Sequence, residues 1–331
     1  MTSVGNSRLL FLSPAFFGYE TDIAEAFRAN GHTVDFYDER PSNSSLAKAL
    51  FRVSTRISQN FVRSYYARIL RETKTNKYDF VVVVKGEVVP AFFLLELRAR
   101  NPEAHLVYYS FDAMAPGSLS EANLGHYDKT FSFDAADVAR YPALHLKPLF
   151  YSTQFHAAET GVARPHELTF VGTMHSDRYA FVSNLTKSFE HTYSFFYAPA
   201  RWFFALEKYV TRHLSEVGWA EISFNKLSKE EVSAVFRGSQ AVLDLQRSNQ
   251  AGLTMRTFEV LASGAILVTG NQAIRNADFY DPSRILVIED YDSEGASERL
   301  RQALSQLQPD GSLPSGFEKY SVTTWVKELL S

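Results

Sequence analysis

The chain alternates short apolar runs with longer segments whose apolar positions recur every three to four residues. Such runs read as strands buried in a parallel sheet, and the longer segments as helices laid on it. In the first half, strands are predicted at 8–13, 33–37, 80–84, 105–109 and 129–133, with helices near 20–30, 46–77 and 90–100. Residues 144–150 lead into a polar connector at 153–165. A second series then begins, with strands at 166–171, 191–197, 221–224, 241–245, 265–268 and 285–288. Helices are predicted at 180–190, 202–214, from 228 onward, 254–263 and 293–306, with 273–280 as helix or loop. A Gly/Ser/Pro linker at 309–314 precedes a last helix at 317–330. Strand–helix alternation throughout predicts an α/β protein.

The densest chemistry lies at 241–270. A buried strand runs into a polar loop, 246–252, and then into a helix whose apolar face includes Phe258, Leu261 and Ala262. Thr254 is expected to cap this helix by accepting from a free N–H of its first turn. Gly264 suits the left-handed position that ends it. A helix start offers free N–H groups and the positive end of the dipole to an anion. Arg256 adds a planar fork of donors suited to phosphate. Glu259 lies one turn inside; an ionised carboxylate only accepts, so it can take both hydroxyls of a ribose. Together these describe a nucleoside-diphosphate site. An ordinary capped helix with a solvated arginine and glutamate fits the same residues.

The segment Gly252-Leu-Thr-Met-Arg-Thr-Phe-Glu-Val-Leu-Ala-Ser-Gly-Ala265 resembles the donor-site segment of GT-B glycosyltransferases. The likeness is greatest to group 1 and spore-maturation-protein-like glycosyltransferases, whose pattern runs roughly Asn-hydroxyl-Arg-x-Phe-Glu-x-x-Ala-x-Gly. Many such enzymes carry two glutamates eight positions apart. Glu259 matches the second, and the first falls on Ala251. This departure leaves the transferred sugar and the stereochemical course open. The resemblance implies two Rossmann-like domains facing across a cleft. Residues 1–155 would form the acceptor domain, 156–315 the donor domain, and 316–331 a helix returning to the first domain. It implies a hexosyltransferase acting from a nucleotide-diphosphate sugar, with UDP-sugar the first choice, in surface polysaccharide or glycoconjugate synthesis. A nucleotide-sugar epimerase of the same fold and a non-catalytic nucleotide-sugar-binding subunit are the alternatives.

Further candidates follow from placement. Thr254, Met255 and Thr257 start the donor helix beside Arg256. Residues 168–178 resemble the first strand and loop of a GT-B donor domain; Gly172 and Thr173 offer backbone near phosphate, and Arg178 a second cation. In the first half, the loop 14–19 lacks the Gly-x-Gly-x-x-Gly fingerprint, but Gly18 would let backbone approach a ligand beside Tyr19. Ligands of open α/β sheets bind beyond the carboxyl ends of the strands, where Lys85, Glu87 and Asp112 stand. Asp112 resembles the acidic residue that follows the corresponding strand in related glycosyltransferases, and could act as general base toward an acceptor hydroxyl. Glu87 is the reserve. For each, a plain loop residue is the alternative.

Charge and composition narrow the partners. The net charge of −3 argues against a general nucleic-acid binder. Within 46–77, eight Lys or Arg face the single acid Glu72. A solvated helix face explains this; contact with anionic lipid or a lipid-linked saccharide acceptor is the second reading. The chain has no cysteine, so thiol chemistry is excluded. No apolar run nears the ~18 residues of a membrane span, and no signal pattern opens the sequence. A cytoplasmic protein is expected, with contact at the inner face of the membrane only on the second reading of 46–77. His156 and His166 have no companion at metal-ligand spacing, and no Asp-x-Asp motif is expected to hold a pyrophosphate through a metal. No metal and no cofactor beyond the donor substrate are expected.

Overall fold

Apolar runs become strands in both halves of the chain. The computed structural model describes residues 7–41, 55–156, 163–245, 252–289, 293–309 and 311–331, the side chains of 55–58 and 176–177 apart. The chain divides into two units, Met1–Leu149 with Tyr320–Ser331, and Phe150–Lys319.

The first unit holds six parallel strands: β1 Arg8–Ser13, β2 Thr33–Asp38, β3 Phe80–Val84, β4 His105–Ser110, β5 Lys129–Ser132 and β6 His145–Leu146. Their order is β2-β1-β3-β4-β5-β6. Parallel strands need crossover helices, which cover both faces and demand apolar residues on each. Accordingly Leu9 to Leu12 and Val81 to Val84 are all fully buried. The helices Thr55–Glu72 and Ala91–Arg100 supply Tyr66, Ile69, Phe93 and Leu94 to the same core. Burying each such side chain contributes roughly 1.5–3 kcal/mol. The helix Thr55–Glu72 turns Arg63, Arg68 and Arg71 outward. The rest of the predicted basic helix before Thr55, including Lys48 and Arg52, lies outside the described residues.

The last helix, Val322–Leu330, belongs to this first unit. It packs on the helix Tyr19–Ala29, and Asn30 Nδ2 donates to Thr323 O at 3.1 Å. Trp325 is buried edge-on to Tyr109 at 4.7 Å and donates Nε1 to Pro148 O at 3.0 Å. Lys147 pairs with Glu328 at 2.8 Å. Burial pushes the Lys147 ammonium below its ordinary value, against the pull of Glu328. The predicted single helix 317–330 is in fact a 3-10 turn, Phe317–Tyr320, followed by this helix. Ser321 accounts for the break, since its hydroxyl accepts from Thr324 N and caps a new start.

The second unit holds β7 His166–Thr173, β8 Thr192–Tyr197, β9 Ile222–Ser223, β10 Ser239–Asp244, β11 Ile266–Thr269 and β12 Ile285–Val287. All pair in parallel, in the order β12-β11-β10-β7-β8-β9. Counted from its own first strand this is 3-2-1-4-5-6, the order of dinucleotide-binding folds. The predicted capping box forms: Ser228 Oγ accepts from Glu231 N, and Glu231 Oε2 accepts from Ser228 N at 2.7 Å. The helix predicted at 202–214 stops at Tyr209. Thr211 N turns back to Leu206 O, and Arg212 takes a left-handed φ of 60°.

The helix Met255–Ala262 ends as predicted, with Gly264 at φ 71°. Its start differs. Thr254 occupies the cap position, but its side chain does not cap the first turn. Its hydroxyl donates instead to Asp244 Oδ2 at 2.9 Å, and Thr257 Oγ1 does the same at 2.9 Å. A buried carboxylate needs donors more than a helix start needs an acceptor, so Asp244 wins the threonine.

A Cβ at Gly264 would lie 2.7 Å from the backbone of Gly311, and its φ is one that L side chains avoid. Gly264→Ala is therefore expected to destabilise the protein by on the order of 1–3 kcal/mol in urea unfolding. An unchanged midpoint would show that the turn relaxes freely.

Candidate functional site

In the second unit the strand order reverses between β7 and β10, and loops leaving their carboxyl ends diverge there. That crevice is where open α/β sheets place ligands. Two arginines stitch it. Arg178 donates Nη1 to Thr173 O at 3.1 Å and Nη2 to Leu245 O at 3.0 Å. Arg256 donates Nη1 to Val171 O, with its guanidinium 5.9 Å from the Phe236 ring. Its Nε is buried and has no hydrogen-bond partner among the described residues. A buried donor left so is costly, of order 1–3 kcal/mol.

The helix Met255–Ala262 begins at this crevice. The N–H groups of a helix start lack the partners of a full turn; here Thr257 N turns back to Thr254 O at 3.1 Å, and the Thr254 side chain caps none of them. Met255 and Thr257 are buried, and Glu259 is only 5% exposed. A carboxylate that deep, one turn inside a helix, needs donors to satisfy it. A Cβ at Gly172 would meet the Phe170 ring at 2.6 Å, so packing by itself favours glycine there. Thr173 is exposed at the strand end. Ala251, where a first glutamate would fall, lies outside the described residues with the rest of the loop 246–251.

The first unit reverses order between β1 and β3, and its candidates gather there. Phe17 and Gly18 take left-handed φ values of 55° and 78°. Gly18 is the cap residue of the helix Tyr19–Ala29. Tyr19 stacks on Phe111 at 5.9 Å, and Phe16 meets Phe111 edge-on at 4.7 Å. Lys85 and Gly86 are left-handed too, at 72° and 67°. The Lys85 ammonium pairs with Asp112 at 2.5 Å and lies 4.8 Å from the Phe16 ring. Lys85 O accepts from Tyr108 OH at 3.0 Å. Lys85, Asp112, Gly18 and Tyr19 thus share one loop cluster. Glu87 instead pairs with Arg40 at 2.5 Å.

Sequence reasoning missed Asp244, Glu39 and Arg40. All three stand at strand carboxyl ends, so the rule applied to Lys85 and Asp112 would have found them. Among the described residues no group of three or more His, Cys, Asp or Glu could hold a metal ion. The sequence does hold one Asp-x-Asp pair, Asp290-Tyr-Asp292, which counts against the metal-free expectation and lies outside the described residues. None of the described helices is long and apolar enough to cross a membrane.

Residues 198–309, which include the helix Met255–Ala262, match a family described as glycosyl transferase-like. No curated protein matches the sequence. Solved structures do match in fold. A glycosyltransferase from Rickettsia africae aligns with TM-score 0.63 at 12% identity, covering 98% of this chain and 97% of its own. AviGT4, a glycosyltransferase of avilamycin A biosynthesis, gives 0.62 at 14%, with 98% and 97% covered. Anabaena HepE, solved with UDP and glucose, gives 0.60 at 11%, with 98% of each chain covered. The chain has the fold of GT-B glycosyltransferases, and its second unit carries a glycosyl transferase-like segment.

Proposed function

We propose that the protein transfers a sugar from a nucleoside-diphosphate donor to an acceptor hydroxyl. The observation that carries this reading is the start of the helix Met255–Ala262 at the β7/β10 crevice, which the Thr254 side chain leaves uncapped, with Glu259 buried one turn in. The diphosphate would lie on the first-turn N–H groups beside Arg256, whose Nε still needs an acceptor. The ribose would lie on Glu259. Arg178 would hold the strand ends that shape the crevice. Asp244 would fix the helix start through Thr254 and Thr257. UDP is the first choice of nucleotide, since HepE is solved with UDP and with UDP-glucose. A hexosyl donor and a saccharide or lipid-linked acceptor, in surface polysaccharide or glycoconjugate synthesis, complete the reading.

The acceptor hydroxyl would be met by the first unit. Asp112 is the general base of this proposal, and Lys85 holds its carboxylate in place. Proton removal by Asp112 raises the nucleophilicity of the hydroxyl oxygen as it attacks the anomeric carbon. The nucleoside diphosphate leaves, its growing charge met by Arg256 and the helix start. Positioned bases contribute about 10²–10⁴-fold in rate. Glu87, paired with Arg40, is the second candidate.

Three outcomes test the reading. Glu259→Gln is expected to weaken nucleoside-diphosphate binding by roughly 1.5–3 kcal/mol in calorimetry while the melting profile is kept; equal affinity would remove Glu259 from the site. Asp112→Asn is expected to lose about 10²–10⁴-fold of turnover in an inverting reaction and to keep donor affinity. Normal turnover there with an inactive Glu87→Gln would move the role to Glu87. Transfer is expected to proceed in EDTA; a rate that collapses and returns with magnesium or manganese would assign metal binding to the chain, with Asp290 and Asp292 the first residues to vary.

A further inference from the structure

Glu39 follows the last residue of β2 and is fully buried. Carboxylates are almost never so placed unless paired. Its Oε1 accepts from Glu87 N at 3.3 Å, and the N–H of Gly86 points to the same carboxyl. Its Oε2 is buried with no partner among the described residues. Arg40, next in sequence, is drawn off to Glu87 at 2.5 Å instead of folding back on Glu39. The segment that Glu39 touches is the strained one. Lys85 is a non-glycine residue at φ 72°, and the Cβ of any residue replacing Gly86 would meet the Tyr108 ring at 2.9 Å. The carbonyls of Lys85 and Gly86 are held from the other side by Ser120 Oγ, at 3.2 and 3.0 Å. Strained backbone persists only where its surroundings over-determine it.

We propose that Glu39 is a positioning residue that sets the Lys85–Gly86–Glu87 turn, and with it the Lys85 ammonium and Glu87 carboxylate. What the turn serves rests on the acceptor-side reading above; how it is held does not. Ser120 grips the turn by its carbonyls and Glu39 by its N–H groups. Burial first, and the Glu87 charge second, push the Glu39 carboxyl up to about 8. Arg40 and the two N–H groups act the other way without prevailing. The other ionisable groups that face it are Tyr66, Tyr108 and Tyr127, all pushed upward by burial and neutral in this range. Asp38 acts on Arg40 from the same loop. At neutral pH Glu39 therefore carries its proton on the unpartnered Oε2, because a lone buried donor costs far less than a lone buried charge. Ionisation would set two carboxylates in competition for Arg40 and release Glu87 from an exclusive pair.

Stability follows the same linkage. The folded-state value, about 8, lies above the ordinary 4.5, so this contribution is complete below pH 4.5 and is lost as the pH rises through 8. Relative to the wild type, the melting temperature of Glu39→Gln should climb steadily between those limits.

The decisive experiment needs no substrate. In ¹H–¹⁵N spectra recorded from pH 6 to 9.5, the amides of Gly86 and Glu87 are expected to titrate together with a midpoint near 8. The carboxyl carbon of Glu39 should report the same midpoint in selectively ¹³C-labelled protein. Glu39→Gln should flatten both amide curves and leave the rest of the spectrum in place. Glu87→Gln should move the Glu39 midpoint down. Glu39→Ala should speed amide exchange at Gly86 and Glu87, and Glu39→Gln should restore it. Amides that stay flat in the wild type, or that still titrate in Glu39→Gln, would overturn the proposal. Should the variants not fold, amide exchange of the wild type decides alone, Gly86 and Glu87 amides that exchange as fast as exposed loop amides refuting it. A failed donor-binding test would leave this result untouched.

Discussion

The candidate donor site depends on how β7 and β10 are held together where their loops part. A parallel sheet satisfies its backbone along the ladder, but β7 and β10 pair only as far as Thr169 and Val242, and carbonyls beyond that point need other donors. Val171 and Leu245 are both buried, so water does not serve them freely. Guanidinium groups do: Arg256 reaches Val171 O and Arg178 reaches Leu245 O. Arginine suits the task because its fork presents several donors in one plane and stays charged. Two fixed positive charges thus stand at the mouth of the crevice, a consequence of backbone satisfaction before any ligand is considered. The uncapped helix start adds its dipole to the same field, worth about 0.3–1 kcal/mol toward a nearby anion and up to ~2 when partly buried.

The first unit solves the corresponding problem with strain. Its crevice between β1 and β3 is lined by two left-handed pairs, Phe17–Gly18 and Lys85–Gly86. The second pair is clamped from both sides, by hydroxyls on its carbonyls and by the Glu39 carboxyl on the N–H side. Lys85 with Asp112 and Arg40 with Glu87 form ion pairs there, whereas Arg178 and Arg256 of the second unit bind backbone carbonyls.

The fold was legible because a buried parallel strand has little freedom in composition. Runs such as 80–84 and 241–245 can be little else, and Gly264 marked its helix end correctly. Boundaries that depend on one side chain were less legible. Ser321 splits the last helix by a single cap, and Thr254 abandons its cap for Asp244. Local pattern cannot show such choices, because the competing partner arrives from a distant strand. That Arg256 and Glu259 share one helix start is sequence-local and was legible; what distant elements assemble was not. Glu39 looks like any surface glutamate in Asp38-Glu39-Arg40 until the β3 turn closes over it.

The central claim is that the β7/β10 crevice of the second unit holds a nucleoside diphosphate. Calorimetric titration of the wild-type protein with UDP, UMP and uridine, each with EDTA present, tests it most directly. Saturable one-to-one binding of UDP is expected, with UMP at least about tenfold weaker, which is ~1.4 kcal/mol for the lost phosphate. Absence of saturable binding by UDP and by every other nucleoside diphosphate would contradict the account.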